Sequence, residues 1–167
     1  MNDELVIRTA GIDDLATIGY LAQQIWPGTY SSILSPEQLQ YMMDLIYSPD
    51  SLQQQMVRHK HLFLLAELDE EPVGFASYSP LKEAGVYKLH KLYVHPKTQG
   101  KGIGKNLIDF ITDHVSTSGA KVLRLNVNRH NKARQFYERL GFVVTKEEDI
   151  DIGHDYYMND YVMEKKL

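Results

Sequence analysis

Val94-His95-Pro96-Lys97-Thr98-Gln99-Gly100-Lys101-Gly102-Ile103-Gly104-Lys105 lies between a predicted strand and a predicted amphipathic helix. Three glycines at alternate positions let the backbone approach a ligand closely and adopt conformations that other residues resist. The helix that follows presents unpaired N–H groups and the positive end of its dipole. No Ser, Thr, Asp or Asn stands at its expected N-cap, so a phosphate can accept those N–H groups, and Lys101 and Lys105 add positive charge there. Two familiar phosphate loops fail on sequence. The dinucleotide pattern G-x-G-x-x-G, begun at Gly100 or Gly102, meets Lys105 or Leu107 where glycine is required. A P-loop ending in Gly104-Lys105 needs glycine at Gln99 and Ser or Thr at Asn106.

Outward from this loop the elements read in both directions. Val86 to Val94 is a strand whose alternation places Lys88, His90, Leu92 and Val94 on one face. Residues 101–118 form a helix with Ile103, Leu107, Phe110, Ile111 and Val115 on its apolar stripe, ended by Gly119. Upstream, Leu5 to Arg8 is a short strand, and a helix opened by Asp13 and Asp14 is stopped by Trp26-Pro27-Gly28. Ser35-Pro36-Glu37 starts a helix reaching about Tyr47, and a shorter one spans about Asp50 to His59. Leu62 to Ala66 is a buried strand, turned through Asp69 to Pro72 into the hairpin arm Val73 to Tyr78. Downstream come the strand Val122 to Val127, a short helix Asn131 to Leu140 stopped by Gly141, and closing strands Phe142 to about Thr145 and Tyr157 to Met163. Hairpins and strand–helix–strand units together predict an α/β fold with a mixed sheet and helices on both faces.

Two segments carry a resemblance. Gln99-Gly100-Lys101-Gly102-Ile103-Gly104 fits Q-x-x-G-x-G, and Asn131-Lys132-Ala133-Arg134-Gln135-Phe136-Tyr137-Glu138-Arg139-Leu140-Gly141-Phe142 follows 27 residues after Gly104. In both, in this order, the chain resembles the GNAT superfamily of N-acetyltransferases. The resemblance covers nearly the whole chain and is strongest from Val86 to Phe142. It implies a single domain over residues 3–167 with the GNAT fold, a mostly antiparallel sheet of about seven strands. It implies acetyl-CoA as acetyl donor, its pyrophosphate on Gln99, Gly100, Lys101, Gly102, Ile103, Gly104 and Lys105, and its pantetheine arm paired with Leu92, Tyr93 and Val94 of a splayed strand. It also implies Asn131 as a further cofactor contact and Tyr137 as the residue that protonates the leaving thiolate. The positions that often hold a Glu or His base match Lys88 and His90; neither is Glu here, which leaves His90 as candidate base. Trp26 and Tyr30 fall where the superfamily shapes its acceptor site. Thr29-Tyr30, Ser35-Pro36-Glu37 and the stretch His154 to Met163 are similar to bacterial polyamine N-acetyltransferases.

Composition bounds the chemistry. The 167 residues contain no cysteine, which excludes disulfides, thiolate metal sites and a cysteinyl acyl-enzyme, so direct attack in a ternary complex is expected. The net charge of −4 argues against a nucleic-acid partner. The acidic start Met1-Asn2-Asp3-Glu4, with no apolar run behind it, reads as cytoplasmic, not as a signal peptide, and no stretch is long enough to span a membrane. No metal is expected. Lys88, Lys91, Lys97, Lys101 and Lys105 form a run without acids that suits an anion. Glu147, Glu148, Asp149, Asp151, Asp155 and Asp160 form one that suits a cationic acceptor. A free alkyl amine has a pKa near 10.4, so roughly one in 2,500 is neutral at pH 7, and a base or a desolvating pocket is useful. The acceptor is a primary amine of a small molecule or of a protein or peptide. Three other readings stand beside this one: an acyl-CoA sensor without catalysis, a nucleotide-binding protein, and an oligomeric scaffold in which C-terminal edge strands pair two subunits into a homodimer.

Overall fold

A computed structural model describes residues 4–167; Met1, Asn2 and Asp3, and with them the expected domain start, lie outside the described residues. Seven strands form one sheet: β1 (Leu5–Thr9), β2 (Leu62–Leu68), β3 (Glu71–Pro80), β4 (Val86–Val94), β5 (Val122–Asn128), β6 (Val143–Gly153) and β7 (Tyr156–Lys166), in the order β1-β2-β3-β4-β5-β7-β6. Five helices accompany them: α1 (Leu15–Tyr30), α2 (Pro36–Tyr47), α3 (Pro49–Val57), α4 (Ile103–Thr117) and α5 (Ala133–Arg139). Every strand pair is antiparallel except β4 with β5, which α4 connects. The fold is therefore the expected mixed α/β sheet covered on both faces.

The sequence of β2 shows why. Leu64 and Ala66 point into the core shared with α4 and α5, while Phe63 and Leu65 point into the core shared with α1, α2 and α3. A strand apolar at every position is what a doubly covered sheet requires. On α4 the buried set is Ile103, Leu107, Ile108, Ile111 and Val115. Phe110, read onto that stripe, instead lies 38% exposed. Ile108, one turn after Gly104, takes the buried position.

Two expectations about local structure change. Helix α1 runs through Trp26-Pro27-Gly28 to Tyr30. Pro27 lacks the N–H that would bond the Gln23 carbonyl, but both residues are exposed, so water can serve that carbonyl. Trp26 and Tyr30, one turn apart on the opposite side, are both buried and stack at 4.6 Å, and this packing outweighs the proline. The closing strands are longer than expected: the one read as ending near Thr145 runs on to Gly153 as β6, the one read over Tyr157 to Met163 is the 11-residue β7, and most of the acidic run lies in β6 and its turn. The Trp26 indole also donates to the Tyr47 hydroxyl at 3.1 Å. Trp26→Phe is expected to remove about 1–2 kcal/mol of stability through that unpaired hydroxyl and the lost volume. Chemical denaturation checks this, the denaturant slope staying unchanged.

Candidate active site

Strands β4 and β5 pair only over Val86–Leu89 and Val122–Leu125. Beyond that point β5 stays with β7, as Asn126, Val127 and Asn128 face Val162, Tyr161 and Asp160. β4 stays with β3, as Lys91 to Val94 face Ser77 to Gly74. The two parallel strands thus splay at their C-terminal ends. One row of β4 backbone groups is left without a strand partner on the β5 side. A cavity of about 360 Å³ fills the opening, lined by Leu92, Tyr93, Asn131 and Tyr137 and reaching Trp26 and Tyr30 beyond them.

A β-bulge shapes this wall. Ser77 faces Lys91 and Tyr78 faces Leu89, so His90 is the extra residue in β4. The expected alternation breaks there. Leu89, Leu92 and Val94 all pack on the α4 side, whereas Lys91 and Tyr93 turn toward α1 and α3. A bulge places two residues against one, so the faces exchange beyond it.

The glycine loop sits at the head of α4, beside the cavity rather than in its lining. Gly100 (φ +83°) and Gly102 (φ +73°) occupy left-handed conformations that a side chain would strain, and Gly102 is the N-cap, with no side chain closing it. Gly104 differs: a Cβ there would meet the Phe136 ring at 3.2 Å, so the two sequence motifs touch at this point. Gln99, Lys101 and Lys105 are exposed and Ile103 is buried. The basic run does not act as one patch. Lys97 pairs with Glu71, Lys105 pairs with Asp109 at 2.7 Å, and Lys91 is buried on the far face of β4.

Tyr137 stands on α5 at 7% exposure, its ring set edge-on to Phe136 and Phe142. Burial, with the neighbouring Tyr30, pushes its phenol well above the ordinary range, so it is an O–H donor at every working pH. Asn131 braces the start of the same helix, its side-chain oxygen accepting from the Ala133 N–H at 2.9 Å.

His90 hydrogen-bonds through Nε2 to the Ser79 hydroxyl at 2.7 Å and stacks on His61 at 3.9 Å. Desolvation first, then His61, Lys91 and Lys88, lowers His90 to about 3. Desolvation first, then Lys91, His59 and Lys88, lowers His61 to about 4. Both rings are neutral at pH 7. Unfolding restores ordinary imidazoles, which bind protons more readily than the folded rings, so stability is fully present above about pH 6.5 and declines as pH falls toward 3. Melting temperature should drop by roughly 5 °C or more between pH 7 and pH 5. His61→Gln with His90→Gln should flatten that slope; an unchanged slope would show that other groups carry it.

The end of the cavity at Trp26 and Tyr30 is aromatic. Tyr30 and Tyr93 share a hydrogen bond at 2.8 Å, and the Trp26 ring lies 5.6 Å from Tyr93. Tyr93 therefore contributes its side chain here as well as its backbone to the splay. The β6–β7 turn closes this end: the Tyr41 hydroxyl of α2 donates to the Ile152 carbonyl at 2.6 Å, and Gln38 donates to the Tyr157 carbonyl at 3.0 Å. Ile152 and Met158 of this hairpin line the cavity. Half of the acidic run is paired with cations outside it, with Arg129 against Glu147 and Asp149, and Lys146 against Glu148 at 2.9 Å. Asp160 alone of the run lines the cavity, and it is buried.

A family model described as an acetyltransferase (GNAT) domain matches residues 31–158. The chain belongs to the GNAT acetyltransferase family. Over 165 residues it is 33% identical to a spermidine N(1)-acetyltransferase of Thermoplasma acidophilum, covering 96% of each chain. The crystal structure of a PaiA N-acetyltransferase from the same organism, in complex with coenzyme A, superposes with a TM-score of 0.83 at 32% identity, over 98% of this chain and 99% of that one. A GNAT N-acetyltransferase structure from Rhodopseudomonas palustris shares the fold, with a TM-score of 0.83 at 24% identity, over 100% of this chain and 99% of that one. This GNAT enzyme is an acetyl-CoA-dependent N-acetyltransferase. Its own backbone fits that cosubstrate: a splay for an extended arm and an uncapped helix end for a diphosphate. Among the described residues no cluster suits a metal ion, and no helix is long and apolar enough to cross a membrane.

Among the cavity residues that the sequence reading did not single out are Asp160, Asn126, His61 and Lys91 as a buried group. Desolvation lowers the Lys91 ammonium to about 8. Asp160 carried a signal, since a lone acid inside the apolar strand Tyr157 to Met163 is atypical of strands. The other three carried none.

Proposed function

We propose that this enzyme acetylates a primary amine of a small, cationic acceptor by direct attack in a ternary complex. One observation carries the reading: beyond the splay the cavity continues to an aromatic wall of Trp26, Tyr30 and Tyr93, with Ile152 and Met158 of the β6–β7 hairpin beside it. Aromatic faces attract ammonium groups and still accept methylene chains. A cavity of about 360 Å³ has room for a small amine. The similarity to a spermidine N(1)-acetyltransferase supports a polyamine within that class.

Acetyl-CoA supplies the activated acetyl thioester. Leu92, Tyr93 and Val94 hold the pantetheine arm through β4 backbone groups. Gln99 to Lys105 hold the diphosphate against the first turn of α4, and Asn131 completes the grip. A β4 N–H facing the splay stabilises the negative charge that develops on the carbonyl oxygen. Trp26 and Tyr30 shape the acceptor chamber. His90, neutral and free of charge repulsion toward an approaching amine, receives the proton directly or through water and passes it to solvent water, from which the Tyr137 phenol regains the proton it gives up. Its low basicity suits a relay, not a resting place. Tyr137 donates its phenolic proton to the departing sulfur.

Acetyl-CoA consumption measured across amines, with spermidine, amino acids and lysine-bearing peptides included, tests the reading. Turnover should be highest with small polycations. Turnover confined to peptides would overturn it. Tyr41→Phe loosens the hairpin and is expected to raise the acceptor KM by about 3- to 10-fold with little change in the KM for acetyl-CoA, the loss of one hydrogen bond at the chamber's lid.

A further inference from the structure

Asp160 has an environment that the fold alone does not explain. It lies on β7 opposite Asn128, 5% exposed, in the wall of the cavity. Its Oδ2 accepts one long hydrogen bond, 3.3 Å from the Asn126 amide, and that amide is shared with Glu148. Its Oδ1 is buried with no hydrogen-bond partner among the described residues. A carboxylate buried this way costs several kcal/mol unless something pairs with it.

The charged groups around it do not do so. Arg129 uses its guanidinium on Glu147, Asp149 and two backbone carbonyls, one of them that of Asp160 itself. Lys88 of β4 acts on Asp160 through space, without a hydrogen bond, and Glu148 of β6 opposes it. On the α1 side the nearest titratable neighbour is Tyr30, a neutral phenol. What remains is a buried carboxylate with one oxygen unpaired among the described residues, on a residue that lines a cavity with aromatic rings in its wall.

Resting on the reading above, we propose that Asp160 recognises a second, non-reacting ammonium group of the acceptor, which makes the substrate class a diamine or polyamine. A carboxylate beside an amine favours its charged form, the opposite of what the attacking nitrogen needs. Asp160 therefore suits a nitrogen that stays charged while another, nearer Tyr137, reacts. The aromatic wall of Trp26 and Tyr30 accommodates the methylenes between the two.

Putrescine and butylamine share a four-carbon chain and differ in the second amine, so their comparison reads this role. The wild-type enzyme should favour putrescine in kcat/KM by at least tenfold. Asp160→Asn keeps the shape and removes the charge; it should raise the putrescine KM by about 10- to 100-fold, the size of a charged hydrogen bond. Butylamine kinetics and coenzyme A affinity should hold steady, and the melting temperature should be equal or higher, because an unpaired buried charge is gone. A variant that keeps the putrescine preference overturns the proposal. So does one that loses kcat equally on both amines, which would make Asp160 a proton acceptor instead. A wild-type protein that acetylates neither amine, while binding coenzyme A and acetylating another class, overturns the reading beneath it. Should the variant not fold, calorimetry on the wild-type protein loaded with coenzyme A decides. Putrescine affinity should fall on acidification as the carboxylate protonates, and butylamine affinity should not. Parallel losses for the two amines would overturn the proposal.

Discussion

Tyr137→Phe should lower kcat by about 100- to 1,000-fold while leaving the affinity for coenzyme A unchanged. The expectation follows from what the substitution keeps and removes. The ring still packs against Phe136 and Phe142, so α5 stays in place. Only the hydroxyl is lost, and with it the proposed proton donor, expected to account for about 2.7–4 kcal/mol of the barrier. Burial holds the phenol protonated through the neutral and mildly alkaline range. The wild-type profile should therefore show no fall in rate from Tyr137 between pH 7 and pH 9. Stopped-flow rates with acetyl-CoA, paired with calorimetry on coenzyme A, check both halves. A variant with unchanged kcat would mean that water protonates the leaving sulfur.

Gly102→Val should weaken coenzyme A binding by at least tenfold and lower the melting temperature by roughly 5 °C. At φ +73° a β-branched side chain is strained by about 1–3 kcal/mol, and relief of that strain moves the N-cap of α4. The first-turn N–H groups then no longer converge on a diphosphate. Gly119, at φ +91° just beyond the C-terminal end of α4, supplies the control. Gly119→Val carries similar strain far from the splay and should lower stability to a similar extent without changing coenzyme A affinity. Equal loss of affinity in both variants would trace the effect to general destabilisation and remove the helix end from cofactor binding.

Features set by neighbouring residues were legible before folding. Ser35 caps α2, its hydroxyl accepting from the Gln38 N–H at 3.1 Å. β4 begins and ends where its apolar residues and Pro96 place it. The left-handed glycines and the uncapped helix start follow from residue types alone, because a missing Cβ and a missing cap are local facts. Pro27 misled for the same reason: its penalty is local, whereas the burial of Trp26 and Tyr30 that outweighs it depends on Tyr47 and Tyr93, distant in sequence.

By itself the sequence determined the order of the elements, the doubly covered sheet, the glycine loop at the uncapped start of α4 and the pairing of Gln99–Gly104 with Asn131–Phe142 that marks an acetyltransferase. Only the tertiary structure decided which wall each side chain faces. The bulge at His90 reverses the faces of β4, and the parting of β4 from β5 after Leu89 opens the cavity. The long β6–β7 hairpin sets Asp160 opposite Asn128, inside that opening. Register, bulges and splay arise from pairing between strands tens of residues apart, and no periodicity within one segment encodes them.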